Sequence, residues 1–121
     1  MTGRIVLIED DPDIAALVEE MLRESGHQVD VRMSVDEGGT ADTDARVVIT
    51  DLLAVRAYDP EVAREWIAVV RSRFPRAKIV VSTAHAPAAA TGAEFLGADA
   101  VLTKPFDLAA FTRTVDGLLG A

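Results

Sequence analysis

Short apolar runs alternating with stretches of helical periodicity constrain this chain more than any other feature of its 121 residues. Ile5-Val6-Leu7-Ile8 is continuous and rich in β-branched side chains, as a strand buried on both faces must be. In "QVDVRM" the apolar residues Val29, Val31 and Met33 alternate, which predicts a second strand toward a sheet edge. Val47-Val48-Ile49-Thr50, Lys78-Ile79-Val80-Val81-Ser82 and Ala100-Val101-Leu102 supply a third, fourth and fifth. Asp11 reads as an N-cap before Pro12, with Ile14, Leu17, Val18, Met21 and Leu22 on one helical face until Gly26. "SVDEGGTADTDA" (34–45) should hold a short second helix, weakened by about 2 kcal/mol through Gly38-Gly39. Asp59-Pro60 opens a third, with Val62, Trp66, Val69 and Val70 inward, and Phe74-Pro75 closes it. The fourth helical segment runs from Pro87 to Leu96, interrupted at Gly92 and capped by Gly97, and the fifth from an Asp107 cap through Leu108, Phe111, Val115 and Leu118. With no repeat or linker, residues 1–121 are expected to form one α/β domain, a parallel sheet sandwiched by helices.

In such sheets ligands bind beyond the carboxyl ends of the strands, where strand order reverses. The residues at those ends are Glu9, Asp10 and Asp11 after the first strand, Asp51 after the third, Thr83 after the fourth and Lys104 after the fifth. Several carboxylates at one edge repel each other and raise one another's pKa unless a cation joins them. Mg²⁺ is the natural counter-charge, because it prefers carboxylate and carbonyl oxygens. With an ion on Glu9, Asp10 and Asp51, a carboxylate can act as nucleophile toward a phosphoryl group. Lys104 would then neutralise phosphoryl oxygens, and Thr83 would donate a hydrogen bond to one of them. Asp11 is expected to cap its helix rather than ligate.

The 12 basic against 20 acidic residues give a net charge of −8, which excludes direct binding to a phosphate backbone and favours basic partners. There is no cysteine, hence no disulfide or thiolate metal site. Neither a signal pattern nor an apolar run of membrane-spanning length is present, so a cytoplasmic location and no membrane partner are expected.

"VLIEDDPDI", "VVITDL", "VVSTAHA" and "GADAVLTKPF", in this order and over nearly the whole chain, resemble the receiver (phosphoacceptor) domain of two-component response regulators, stand-alone type. The resemblance implies a flavodoxin-like (βα)5 fold, a doubly wound five-stranded parallel sheet of order 2-1-3-4-5. It makes Asp51 the phosphoacceptor, Glu9 and Asp10 the acidic pair for Mg²⁺, Thr83 the switch hydroxyl and Lys104 the phosphate-contacting lysine. Leu53 falls where the family gives a backbone carbonyl to the ion, and Lys104-Pro105 matches a bond usually cis there. The implied partners are a sensor histidine kinase or phosphotransfer protein and a downstream protein, with homodimerisation through the fourth and fifth helical segments as one route of assembly. The implied role is that of a phosphoacceptor that catalyses its own phosphorylation and dephosphorylation rather than an enzyme on other substrates.

Departures from the family pattern are informative. Val55 and "RAYDP" replace the usual proline and glycine after the acceptor, and Val101 stands where an aromatic usually swings inward with the hydroxyl. Switching is therefore expected through loop and helix movement around 83–96. Apolar Leu53 suggests slow self-dephosphorylation, while His85 reads as a solvated loop residue. A phosphorylation-independent receiver-like scaffold is the alternative, since fold alone does not fix function. An aspartate-nucleophile hydrolase would want a second acid where Leu53 stands, and a flavin site would want a Gly/Ser/Thr-rich loop in place of the three acids.

Overall fold

The computed structural model describes residues 4–32, 42–52, 59–84, 87–104 and 108–119. They form β1 (Arg4–Ile8), α1 (Pro12–Glu24), β2 (Gln28–Arg32), β3 (Val47–Thr50), α2 (Pro60–Arg73), β4 (Lys78–Thr83), α3 (Pro87–Thr91), α4 (Ala93–Leu96), β5 (Ala100–Thr103) and α5 (Leu108–Leu118). All strand pairs are parallel, and the order β2-β1-β3-β4-β5 is the doubly wound, flavodoxin-like arrangement. β2 lies at an edge, as its alternating pattern requires.

The apolar strands feed two cores because successive side chains point to opposite faces. On one face Val6, Ile8, Val48, Ile79 and Val81 pack with Ala63, Ile67, Val70 and Phe74 of the α2 region and with Leu96. On the other, Ile5, Leu7, Val47, Ile49 and Val80 pack with Ala15, Val18 and Leu22 of α1 and with Phe111, Val115 and Leu119. Among the described residues, no helix is long and apolar enough to cross a membrane.

Both glycines of the Ala-rich segment act through backbone conformation. Gly92, at φ +91°, separates α3 from α4, and Gly97, at φ +79°, ends α4 in the left-handed region with its N–H donating to Glu94 O. At the start of α2, the Asp59 carboxylate accepts the Glu61 N–H at 2.9 Å. Asp59→Ala is expected to lower stability by about 1 kcal/mol in urea titrations, with an unchanged denaturant slope.

The helical faces differ in part from the expectation. Leu17 is 52% exposed, and Val62 and Val69 are 38% and 48% exposed. In α2, Val70 is buried and Trp66 packs on the core as expected, while Val62 and Val69 turn outward and Ala63 and Ile67 take the inner positions. Bulk favours Val62 and Val69 in a sequence reading, yet the small Ala63 is the residue that lets the helix approach the sheet. In α1, Ala15 takes the inward position for the same reason. Of the helix expected over 34–45, only 42–45 is described, and it is not helical. There Asp42 Oδ1 accepts the N–H groups of Asp44 and Ala45, an Asx turn that leads into β3. Met33, residues 34–41 and the Asp107 cap lie outside the described residues.

Candidate functional site

The order of the sheet reverses between β1 and β3, so the crevice lies at their carboxyl ends. Ile8 and Thr50 stand level in the register. The ladder continues one residue further on each side: Asp51 N–H donates to Ile8 O, and Glu9 N–H to Arg32 O, both at 3.0 Å. These bonds fix the bases of Glu9 and Asp51 side by side. At the far side, Thr83 stands level with Thr103 and its carbonyl accepts the Lys104 N–H at 2.7 Å. Thr83 is the last residue of β4 rather than the first beyond it, and is fully buried.

Side chains from three strand ends then meet. Glu9, Asp10 and Asp51 each offer a carboxylate oxygen, all within 4.8 Å of one another. Lys104 Nζ donates to Glu9 Oε1 at 2.7 Å and to Asp51 Oδ2 at 3.3 Å. Glu9 is buried, Asp51 half-buried and Asp10 exposed, so the cluster grades from protein to solvent. Asp11 caps α1, its Oδ1 accepting the N–H groups of Asp13 and Ile14, and its own N–H donates to Glu9 Oε2 at 3.2 Å.

Burial pushes the Glu9 carboxyl above its usual range and the neighbouring Asp51 adds to this, while the Lys104 ammonium and the Asp11 N–H work against it. Burial would lower the Lys104 pKa, but its hydrogen bond to Glu9 and the charges of Asp51 and Glu9 carry it above the ordinary lysine range. The two shifts differ in origin: loss of water raises the Glu9 carboxyl, whereas hydrogen bonding and attraction to the two carboxylates raise the Lys104 ammonium. A hard divalent cation fits this donor set, which is all oxygen, closely spaced and, among the described residues, short of positive charge.

The sign for Glu9 follows from linkage. Its folded pKa lies above the unfolded value, so raising the pH through that interval costs stability, and a cation that needs the carboxylate must displace its proton. Mg²⁺ affinity is expected to fall on acidification with an onset above the ordinary glutamate range. Calorimetric titrations across weakly acid to neutral pH check it, and Glu9→Gln should flatten the dependence.

Sequence reasoning placed Glu9, Asp10, Asp51, Thr83 and Lys104 at the strand ends, and the structure brings Glu9, Asp10, Asp51 and Lys104 into one cluster. Leu53, His85, Pro105 and the loop containing Val55 and "RAYDP" lie outside the described residues. Val101, level with Val81, is half-buried and packs on the α2 side of the sheet. Trp66 was expected only to pack on the inner side of its helix, and Thr50 only to end a strand. Thr50 is fully buried beneath Asp51, and Trp66 reaches it from α2. Thr50 carried no signal, because a threonine ending a β-branched run reads only as strand.

No protein-family model matches the chain, and no curated protein does. Solved structures do. A response regulator receiver protein from Burkholderia phymatum is 28% identical over 98% of this chain and 95% of its own, with a TM-score of 0.73. The response regulator protein TrrA from Thermotoga maritima, in complex with Mg²⁺-BeF, is 25% identical over 96% of this chain and 98% of its own, with a TM-score of 0.70. A chemotaxis response regulator of Vibrio cholerae shares the fold at 19% identity, covering 98% and 99% of the two chains with a TM-score of 0.69. The chain thus has the fold of response-regulator receiver domains and is similar to them over nearly its whole length.

Proposed function

We propose that this chain is a single receiver domain that accepts a phosphoryl group on Asp51, with Mg²⁺, and signals by contact with another protein. The observation that carries the reading is the convergence of Glu9, Asp10 and Asp51 within 4.8 Å, with Lys104 bridging Glu9 and Asp51. The ion would be held by Glu9, Asp10, Asp51 and the Leu53 backbone carbonyl; when bound, it offsets charge on the acids and on the phosphoryl oxygens. An Asp51 oxygen forms the new O–P bond as the donor's bond to phosphorus breaks. Lys104 Nζ already sits on Asp51 Oδ2 and is placed to take up charge on the phosphoryl oxygens. Thr83, at the end of β4, supplies the switch hydroxyl.

The proposed donors are a sensor histidine kinase or phosphotransfer protein. Phosphorylation adds charge at the sheet edge and shifts a pre-existing equilibrium toward a form that a downstream protein recognises, in the cytoplasm. Homodimerisation through α3/α4 and α5 is one way that form could be read out. A second reading, a scaffold indifferent to phosphorylation, is favoured by Val101, whose small side chain packs into the core on the α2 side of the sheet where an aromatic gate would be wanted.

Incubation with acetyl phosphate, with Mg²⁺ or with EDTA, read by intact mass, separates the two. The phosphoacceptor reading expects a gain of one phosphoryl group with Mg²⁺ that EDTA suppresses. No gain with any small-molecule donor favours the scaffold.

A further inference from the structure

A continuous line of hydrogen bonds runs from α2 to the carboxylate of Asp51. The Trp66 Nε1–H donates to Thr50 Oγ1 at 3.0 Å, and Thr50 Oγ1 donates to the Asp51 carbonyl at 2.7 Å. The N–H of the same peptide unit, that of Leu52, donates to Asp51 Oδ1 at 2.8 Å. Each link has a fixed direction. An indole N–H can only donate, so the Thr50 oxygen accepts from Trp66 and turns its single hydrogen toward the carbonyl. Polarising a carbonyl strengthens the donor at the other end of its peptide, so bonds in such a line reinforce one another. Thr50 is fully buried and Leu52 3% exposed, so water has little access to the middle of the line.

We propose that Trp66 and Thr50 are positioning residues for Asp51: through the Asp51–Leu52 peptide they hold Oδ1 in place and leave Oδ2 to Lys104. The proposal rests on Asp51 being the reactive carboxylate. It ties the orientation of that carboxylate to the seating of α2, and it gives the chain's one tryptophan a task besides packing.

The test uses Thr50→Val, which keeps shape and loses the hydroxyl, Trp66→Phe, which keeps a ring and loses the N–H, and the double variant. In each metal-free protein, hydrogen exchange of the Leu52 amide is measured by NMR, with the amides of Ile67 and Val70 in α2 as controls. The Leu52 amide is expected to exchange roughly 3- to 10-fold faster in Thr50→Val, the factor of one net hydrogen bond, and less so in Trp66→Phe. Adding Trp66→Phe to Thr50→Val should change nothing further, because the line is already cut. Mg²⁺-dependent adduct formation from acetyl phosphate should slow in the same rank order. Unchanged Leu52 exchange in Thr50→Val, or faster exchange accompanied by equal loss at Ile67 and Val70, overturns the proposal. If the wild type forms no adduct, the phosphoacceptor reading fails while the Leu52 amide still decides whether the line exists.

Discussion

In the Asp51→Asn variant, incubation with acetyl phosphate and Mg²⁺ is expected to leave the intact mass unchanged under conditions that load the wild type. The substitution preserves size and the acceptor for the Leu52 N–H. It removes the anionic oxygen that must attack phosphorus, and a neutral carboxamide is no substitute for it. Stability should change little, by about 0.5 kcal/mol, since Lys104 retains its shorter bond to Glu9 at 2.7 Å. Urea titration of both proteins makes this comparison and guards against loss of adduct through unfolding. An adduct of equal yield in Asp51→Asn would move the chemistry to another group.

Lys104→Met is expected to lower stability by about 2–3 kcal/mol in metal-free buffer, less than the 3–5 kcal/mol of a wholly buried pair because Asp51 keeps contact with solvent. Met fills much of the space of the lysine stem, so the loss is mainly electrostatic. Glu9, whose side chain is 3% exposed, would be left beside Asp10 and Asp51 without a cation among the described residues. Protonation of Glu9 is the cheapest relief, so the deficit should grow as the pH rises. Part of the lost stability should return with added Mg²⁺, since an ion can supply the missing charge, and the gain from Mg²⁺ should exceed that of the wild type. Denaturation curves with and without Mg²⁺ at two pH values test this. Equal Mg²⁺ effects in the two proteins would mean that lysine and cation do not share the same acids.

The strands were legible because parallel strands buried on both faces leave unbroken β-branched runs, and because both faces are covered here. Asp11 was legible as a cap, and Asp59-Pro60 as the opening of a helix, because helix starts are local chemistry. The helical faces were less so: in α2 Trp66 and Val70 face the core as expected, but Ala63 and Ile67 stand there in place of Val62 and Val69, because a small residue lets the helix approach the sheet. The acidic pair and Asp51 were visible because one topological rule gathers strand ends from distant parts of the chain. That rule is silent on contacts between a strand and the helix packed on it, which is why the bond joining Trp66 of α2 to Thr50 of β3 emerged only from the structure.

The most direct measurement of the central claim is an isothermal titration of Mg²⁺ into the metal-free wild type, Asp10→Asn and Asp51→Asn proteins. The account expects saturable binding at one site in the wild type that is severely weakened in both variants, because each removes an oxygen donor from the same cluster. Binding of equal strength in all three, or none in the wild type even at high Mg²⁺, would contradict it.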